Sequence, residues 1–519
     1  MATRIASFVE KHDYLVTRIL EIIPGISTWF FITSPIWLGY LYPRGVVFIT
    51  IFVTLYWFYL AVKGFISGIK GYNRYKKEMA TDWQVECQKL DFANLPEKST
   101  LPPSLDESRH FVLMPAVNEP DEVLWPAFEA LLNQTYSTQK IIIVYTVEEK
   151  YSEDITMRLR RMTDPYRSRF EDIKIFVHKA GIPGEAIGAA AANRTWGAKH
   201  AVLEMQNEGK IIRNYIFTTI DCDHVIDRQF LARLTHLYLS SDHRDLKYYS
   251  SSVYLFNNNL WRVPALMRIE TYFITLGTLG DWALSSGEVE FKDTFSNYSA
   301  SLQTLINVDY WDVSLGVDDT IFYWRAFIKY GGEFKGVSHF IPFSSDAVEG
   351  KNYVASYKSL YKQLLRWGYG VIDFPLSMKE FLVNDRISFS RKLTWFFEHI
   401  RKRVLLTNTA YMLTFGFSLA TAVNPEFRQS VYAYSVPAVT SFLLTITMVF
   451  LLPAAYLRKK LSAPMPAEWP WWKKLIILVE IPLMIVNLLT FSFIPFIDAQ
   501  TRVMLGKKLK NLYHTPKVR

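Results

Sequence analysis

The chain has 519 residues, of which 50% are hydrophobic, 16% aromatic and only 21% charged, with a net charge of +9 and two cysteines. That length allows about three average domains, or one large soluble domain plus a membrane part. Two cysteines exclude a disulfide framework and are too few for a zinc or iron–sulfur site, and 23 Gly and 23 Pro exclude a collagen-like or low-complexity polymer. A mean hydropathy of +0.06 is high for a soluble enzyme.

Taken from the start of the chain, the first 25 residues mix Arg4, Lys11 and Arg18 with Glu10, Asp13 and Glu21, which is no cleavable signal pattern. Two uncharged stretches follow, Ile22–Pro43, broken by Pro24 and Pro35, and Gly45–Val62. Each is long enough to cross ~30 Å of hydrocarbon as a helix. A basic cluster closes the pair: Lys63, Lys70, Arg74, Lys76 and Lys77.

From about residue 108 the pattern changes to short apolar runs separated by polar helical stretches. Phe111–Val117, Ile141–Val147, Ile173–His178 and Tyr215–Ile220 read as buried strands, with helices at Glu122–Asn133, Glu153–Arg161 and Ala186–Met205. Such alternation predicts a mostly parallel, doubly wound α/β sheet, whose ligands bind beyond the carboxyl ends of the strands. The first strand ends in Asn118–Glu119–Pro120, the second in Glu148–Glu149 and the fourth in Asp221–Cys222–Asp223–His224. Five carboxylates are thereby expected at one edge of the sheet, where their mutual repulsion calls for a cation. Asp221 and Asp223 are two hard donors on one side of the chain, suited to Mg²⁺ or Mn²⁺ and, through the ion, to a diphosphate. An Asp-x-Asp occurs roughly once by chance in a chain this long, so its place after a strand is what gives it weight. Cys222, between the aspartates, reads as a small buried residue facing the other way.

The Gly-led segment Gly181–His200 runs into an Ala-rich helix, with Arg194 and Lys199 as candidate phosphate contacts beside an ordinary surface-charge reading. Val317–Asp318–Asp319–Thr320 opens an amphipathic helix; its acids fit an N-cap as readily as a catalytic pair. In Tyr361–Gly370, Gln363, Arg366 and Trp367 fall on one helical face, an arrangement suited to a sugar diphosphate or to an Arg–aromatic stack in a core. Sequons at Asn133, Asn193 and Asn297 lie in the same unit and are read as chance matches.

Segment Ser390–Arg403 alternates basic residues with Leu393, Trp395, Phe396, Phe397 and Ile400, as expected of a helix in the membrane interface or of the start of a span. Val404–Pro425 and Gln429–Leu457 are further span candidates. Leu475–Ile497 is a poorer one, carrying Glu480, Pro482, Asn487 and Pro495. Arg391, Lys392, Arg401, Lys402 and Arg403 precede the third span, and Arg458, Lys459, Lys460, Lys473 and Lys474 separate the fourth from the fifth. The positive-inside rule therefore puts the N-terminus, the central unit and the 458–474 loop in the cytosol, with the basic excess directed to anionic lipid and no nucleic acid. Arg502, Lys507, Lys508, Lys510, Lys517 and Arg519 ask for the same side, so either the fifth stretch turns back at its prolines, the favoured reading, or the number of spans elsewhere differs by one.

In this order, Pro115-x-x-Asn118–Glu119, Asp221-x-Asp223, Asp318–Asp319 and Gln363-x-x-Arg366–Trp367 resemble the membrane-embedded family 2 glycosyltransferases, the group including cellulose, hyaluronan and related β-glycan synthases. The resemblance covers about residues 108–370, and it is the ordered set between two membrane blocks that carries it. It implies an α/β GT-A fold, Rossmann-like with a mostly parallel sheet, cytosolic and flanked by α-helical transmembrane segments. The implied division is a membrane hairpin at 1–75, the transferase domain at 76–370, interfacial helices at 371–403 and a C-terminal membrane region with a basic tail at 404–519. It further implies a nucleotide-sugar donor (a UDP-sugar foremost), a saccharide or lipid-linked acceptor, membrane lipids as partners, and Mg²⁺ or Mn²⁺. Asn118, Glu119, Glu148, Glu149, Asp221 and Arg194 would serve the donor, Asp223 with Asp221 the metal, and Asp319, paired with Asp318, the inverting chemistry as general base. Gln363, Arg366 and Trp367 would bind the pyrophosphate and the acceptor end. The chain departs from the family in placing Glu148 or Glu149 where an Asp for uridine is usual, Val317–Asp318 where Thr-Glu is usual, and Pro183–Gly184–Glu185 in place of a Lys-containing loop. The implied activity is polysaccharide synthesis, with single-sugar transfer to a lipid as the alternative and a non-catalytic membrane scaffold as the remote one.

Overall fold

A computed structural model describes residues 2–186, 190–285, 287–316, 319–507 and 517. It divides into two compact units: Met1–Lys70 with Pro264–Gly280 and Leu360–Lys508, and Gly71–Val263 with Asp281–Ser359 and Leu509–Arg519.

The second unit is built on β1 (Arg109–Ala116), β2 (Ile141–Glu148), β3 (Asp172–His178), β4 (Tyr215–Thr219), β5 (Val225–Ile226), β6 (Lys247–Ser251), β7 (Tyr254–Leu255), β8 (Glu288–Val289), β9 (Tyr298–Ser301), β10 (Lys335–His339) and β11 (Phe343–Ser344). Eight of these form one sheet in the order β3-β2-β1-β4-β9-β6-β10-β8, and the other three form a small sheet, β5-β11-β7. The four predicted strands pair in parallel, with Phe111 opposite both Ile142 and Phe217. The β-branched and aromatic side chains of β1, β2 and β4 are buried, as strands covered on both faces require, whereas on the edge strand β3 Ile175 and Phe176 are partly exposed and Val177 is 38% exposed. The predicted helices are present as Asp121–Leu132, Ser152–Thr163 and Ala190–Asn207.

The four strands expected from the sequence end at β4, and β9, β6, β10 and β8 extend the sheet beyond it. β9 lies antiparallel between β4 and β6, so the sheet is mixed. Its strands read Lys-Tyr-Tyr-Ser-Ser and Tyr-Ser-Ala-Ser, all buried, with no aliphatic run to announce them. The chain leaves β1 toward β2 and β3, then crosses back to place β4 on the other side of β1. The β1–β4 boundary is therefore a topological switch point, where side chains beyond the strand ends line a crevice.

The first unit is helical. Five helices are long and apolar enough to cross a membrane: Asp13–Leu41, Pro43–Met79, Phe389–Val423, Val431–Leu461 and Pro482–Met504. Contrary to the expected break, Asp13–Leu41 runs unbroken through Pro24 and Pro35, which apolar helices tolerate when neighbours satisfy the freed backbone groups. A Cβ on Gly39 would lie 3.0 Å from Ala420 Cα and one on Gly25 2.7 Å from Met504 Cβ, so small residues set how closely these helices approach. The amphipathic Phe389–Ile400 segment continues into Val423 through wider π turns at Arg401–Leu406 and Met412–Gly416. The fifth stretch is interrupted at residues 490–493, between Ile476–Leu489 and Ile494–Met504. Pro495 begins the later helix, whereas Pro482 sits inside the earlier one. Glu480 is fully enclosed and pairs with Arg268, 2.8 Å from Nε, and with Arg458, so its charge is matched inside the bundle.

Candidate active site

Side chains from several segments distant in sequence meet at the β1–β4 switch point. β4 delivers Asp221, whose carboxylate accepts a hydrogen bond from an Arg194 terminal nitrogen at 2.7 Å. Cys222 points back into the sheet and donates to the Pro115 carbonyl, 3.1 Å away. Asp223, on the outward side again, accepts from the Asp346 backbone N–H at 3.0 Å, while its carbonyl oxygen accepts from Asn258 Nδ2 at 2.9 Å. Its other carboxylate oxygen is ion-paired with Lys517. Cys222 and Asp223 form the middle of a turn closed by the His224 N–H on the Asp221 carbonyl at 2.9 Å, so a turn beyond β4, and not the strand alternation expected from their spacing, brings the two carboxylates together.

Asp319 opens the helix Asp319–Lys329, and its carboxylate accepts from the other terminal nitrogen of Arg194 at 3.0 Å. Its backbone carbonyl is held by the Thr294 hydroxyl. Arg194 comes from the Ala-rich helix behind the sheet and is 2% exposed, so one guanidinium forks between the two acids. A planar fork fixes both carboxylates at once, which a lysine could not do. Glu119, 5% exposed, turns its carboxylate onto the Val117 amide at the end of β1 and acts on the charge of Lys517.

His224 completes the turn. The Asp221 N–H donates to its Nδ1 at 3.2 Å, and burial lowers the ring's pKa, against the pull of Asp221 and Asp223. A neutral ring with Nδ1 accepting carries its proton on Nε2, which lies 3.4 Å from Ser296 Oγ and 3.7 Å from Asp221 Oδ2. Asp221, Asp223 and His224 present ligand atoms all within 4.8 Å of one another. The donor chemistry fits Mg²⁺ or Mn²⁺: two carboxylates supply hard oxygens, while His224 orients Asp221. Burial works to raise the Asp223 carboxyl, yet the Lys517 ammonium outweighs it and holds the pKa below its ordinary value. A cationic group already satisfies this pocket.

Other predicted residues lie elsewhere. Glu149, at the end of β2, accepts from the Ala180 amide at 2.8 Å. Glu148 has its carboxyl pushed up by burial and by Glu185, against His178. Both sit one strand away from the switch point, beside the loop where His178 and Glu185 are 2.9 Å apart. Asn118 is exposed and accepts from Arg158 at 3.3 Å. Lys199 pairs with Asp309 at 2.9 Å. Asp318 falls outside the described residues. Gln363, Arg366 and Trp367 lie on the helix Tyr353–Gly368, each partly exposed, in the portion that belongs to the helical unit. Sequence reading missed His224, Asn258, Asp346 and Lys517 as members of the cluster. His224 was signalled by its place beside Asp223, and Asn258 by the polar run Asn257–Asn259. Nothing local marked Asp346 or Lys517.

No protein-family model matches the sequence, and no curated protein matches it significantly. Among solved structures, the chain is similar to a mannosyltransferase, PcManGT from Pyrobaculum calidifontis in complex with GDP-Man and Mn²⁺, at 14% identity and a TM-score of 0.42, over 79% of this chain and 98% of that one. It is also similar to residues 1–349 of S. aureus TarS in complex with UDP, at 13% identity and a TM-score of 0.32, over 62% and 91%. TarS with UDP-GlcNAc gives 12% identity and a TM-score of 0.31, over 62% and 92%. Likeness of this degree leaves the assignment to the chemistry of the site itself.

Proposed function

We propose that this chain is a membrane-associated, inverting glycosyltransferase of GT-A type that moves a sugar from a nucleotide-sugar donor to an acceptor hydroxyl. The observation that carries the reading is the Asp221–Arg194–Asp319 bridge beside Asp223 at the switch point of the sheet. A transferase needs an ionised base near one end of its site and a cationic seat for a diphosphate at the other, held in fixed register. Asp319 is the base: its carboxylate takes the proton of the acceptor hydroxyl as that oxygen attacks the anomeric carbon. The bond from that carbon to the diphosphate breaks on the opposite face, and the nucleoside diphosphate leaves with the electron pair. Asp223 and Asp221 would hold Mg²⁺ or Mn²⁺, which when bound neutralises the diphosphate's charge. Arg194 holds the carboxylates of Asp319 and Asp221 in fixed register, and His224 ties down the Asp221 backbone amide.

The five long apolar helices support a catalytic unit at the cytoplasmic membrane face and an acceptor that is a growing saccharide or a lipid-linked one. Chain lengths of products made from labelled donor separate polymerisation from single transfer. Purified protein screened with Mg²⁺ or Mn²⁺ over UDP-, GDP- and dTDP-sugars tests the class. Asp319→Asn should lower turnover by about 10²–10⁴-fold, the usual worth of a general base, with donor binding and thermal unfolding retained. Unchanged turnover in that variant removes Asp319 from the role, and no transfer from any donor by the wild type ends the proposal.

A further inference from the structure

The Lys517 side chain reaches into the acidic cluster and pairs with the outer oxygen of Asp223, with its own side chain only 17% exposed. Asp221 and Glu119 act on the same ammonium. Asp223 is almost fully enclosed, its second oxygen already accepts from the Asp346 amide, and its carbonyl is taken by Asn258. The oxygen that Lys517 occupies is therefore the one left for a cation. Mg²⁺ needs its oxygens at about 2.0–2.1 Å, so an ammonium bonded to that atom and a divalent ion cannot share it. The basic tail was read from sequence as membrane-side charge alone, and that reading does not account for a lysine among three carboxylates.

We infer that Lys517 is a built-in placeholder for the divalent cation, an autoinhibitory contact that keeps the carboxylates ion-paired until metal and donor displace it. This rests on the proposed cation seat at Asp221 and Asp223. With the ammonium in place, like-charge repulsion and simple exclusion both oppose metal entry, and the apparent affinity falls by the fraction of molecules whose seat is open. If the ammonium holds the seat about nine-tenths of the time, the apparent Kd for metal is about tenfold weaker than the intrinsic one.

The experiment is a Mn²⁺ titration of the full chain in detergent, followed by the electron paramagnetic resonance signal of free Mn²⁺ at about 0.15 M salt, where charges more than about 8 Å apart are screened. Wild type, Lys517→Gln, Lys507→Gln and Asp223→Asn are compared. Lys517→Gln should bind Mn²⁺ about tenfold more tightly than wild type, Lys507→Gln should match wild type, and Asp223→Asn should lose the site. In parallel, acetylation of Lys517 read by mass spectrometry should be slow without Mn²⁺ and fast at saturating Mn²⁺. Equal Kd for wild type and Lys517→Gln, with binding lost in Asp223→Asn, overturns the placeholder and leaves the cation seat standing. Equal tightening in Lys507→Gln reduces the effect to net charge and overturns it too. If Lys517→Gln binds no more Mn²⁺ than Asp223→Asn, the seat itself fails and the placeholder with it.

Discussion

Arg194 is the residue on which the geometry of the site turns. Its guanidinium is 2% exposed and its two partners, Asp221 and Asp319, come from segments almost a hundred residues apart in sequence. Arg194→Met keeps the bulk of the side chain and removes the fork, leaving two carboxylates facing an apolar tip. Because both acids keep contact with solvent, the loss of stability should be about 2–3 kcal/mol, less than the 3–5 of a fully enclosed pair. Urea unfolding measures it, and Arg194→Lys should recover part of the stability without restoring transfer, since a point charge cannot hold two carboxylates in register. A neutral outcome in both assays would mean that the fork is ornamental. The pair Asp221–Asp223 was legible before any fold was known, because it follows an apolar strand. The role of Arg194 as a bridge was not: one charged residue on an Ala-rich helix reads equally as a phosphate contact or as surface charge, and only the approach of Asp319 to that helix decides between them.

At the scale of elements, the Ala190–Asn207 helix lies so close to β2 that a Cβ on Gly197 would stand 1.7 Å from Thr146 Cγ2. Thr146 is in the middle of the strand and wholly buried, so it has nowhere to go. Gly197→Ala should therefore destabilise the unit by about 1–3 kcal/mol, the usual cost of overpacking, despite the better helix propensity of Ala. Thermal unfolding checks this, and Thr146→Ala in the same chain should relieve most of the loss; an unaffected melting temperature for the single variant would show that helix and strand can part. Elements with a strong local signature were legible, down to strand ends within a residue or two of those found. β6, β9 and β10 were not. Their Tyr and Ser side chains are buried by neighbours that the topology supplies, and a strand whose burial comes from its neighbours carries no pattern of its own.

For the whole molecule, the positive-inside rule predicts that the 458–474 loop lies on the cytosolic side and the short loop at 426–428 on the other. Ala467 and Gln429 are exposed positions in or beside these loops, and the two native cysteines, Cys87 and Cys222, are each 1% exposed and so shielded from reagent. In intact cells, an impermeant maleimide should label Gln429→Cys and leave Ala467→Cys unlabelled until the membrane is opened. The reverse pattern would invert the topology and put the catalytic unit outside, away from a cytosolic donor. Sequence alone determined that long apolar helices precede and follow an α/β unit in the chain, and that acids gather beyond its strands, because hydrophobic periodicity and strand ends are local properties of the chain. Only the tertiary structure decided which acids meet. The order β3-β2-β1-β4 sets the crevice between β1 and β4. That order draws Glu119, Asp221 and Asp223 together with Arg194, Asp319 and Lys517, and leaves Glu148 and Glu149 one strand away. Strand order depends on crossovers between segments distant in sequence, and no local pattern encodes them.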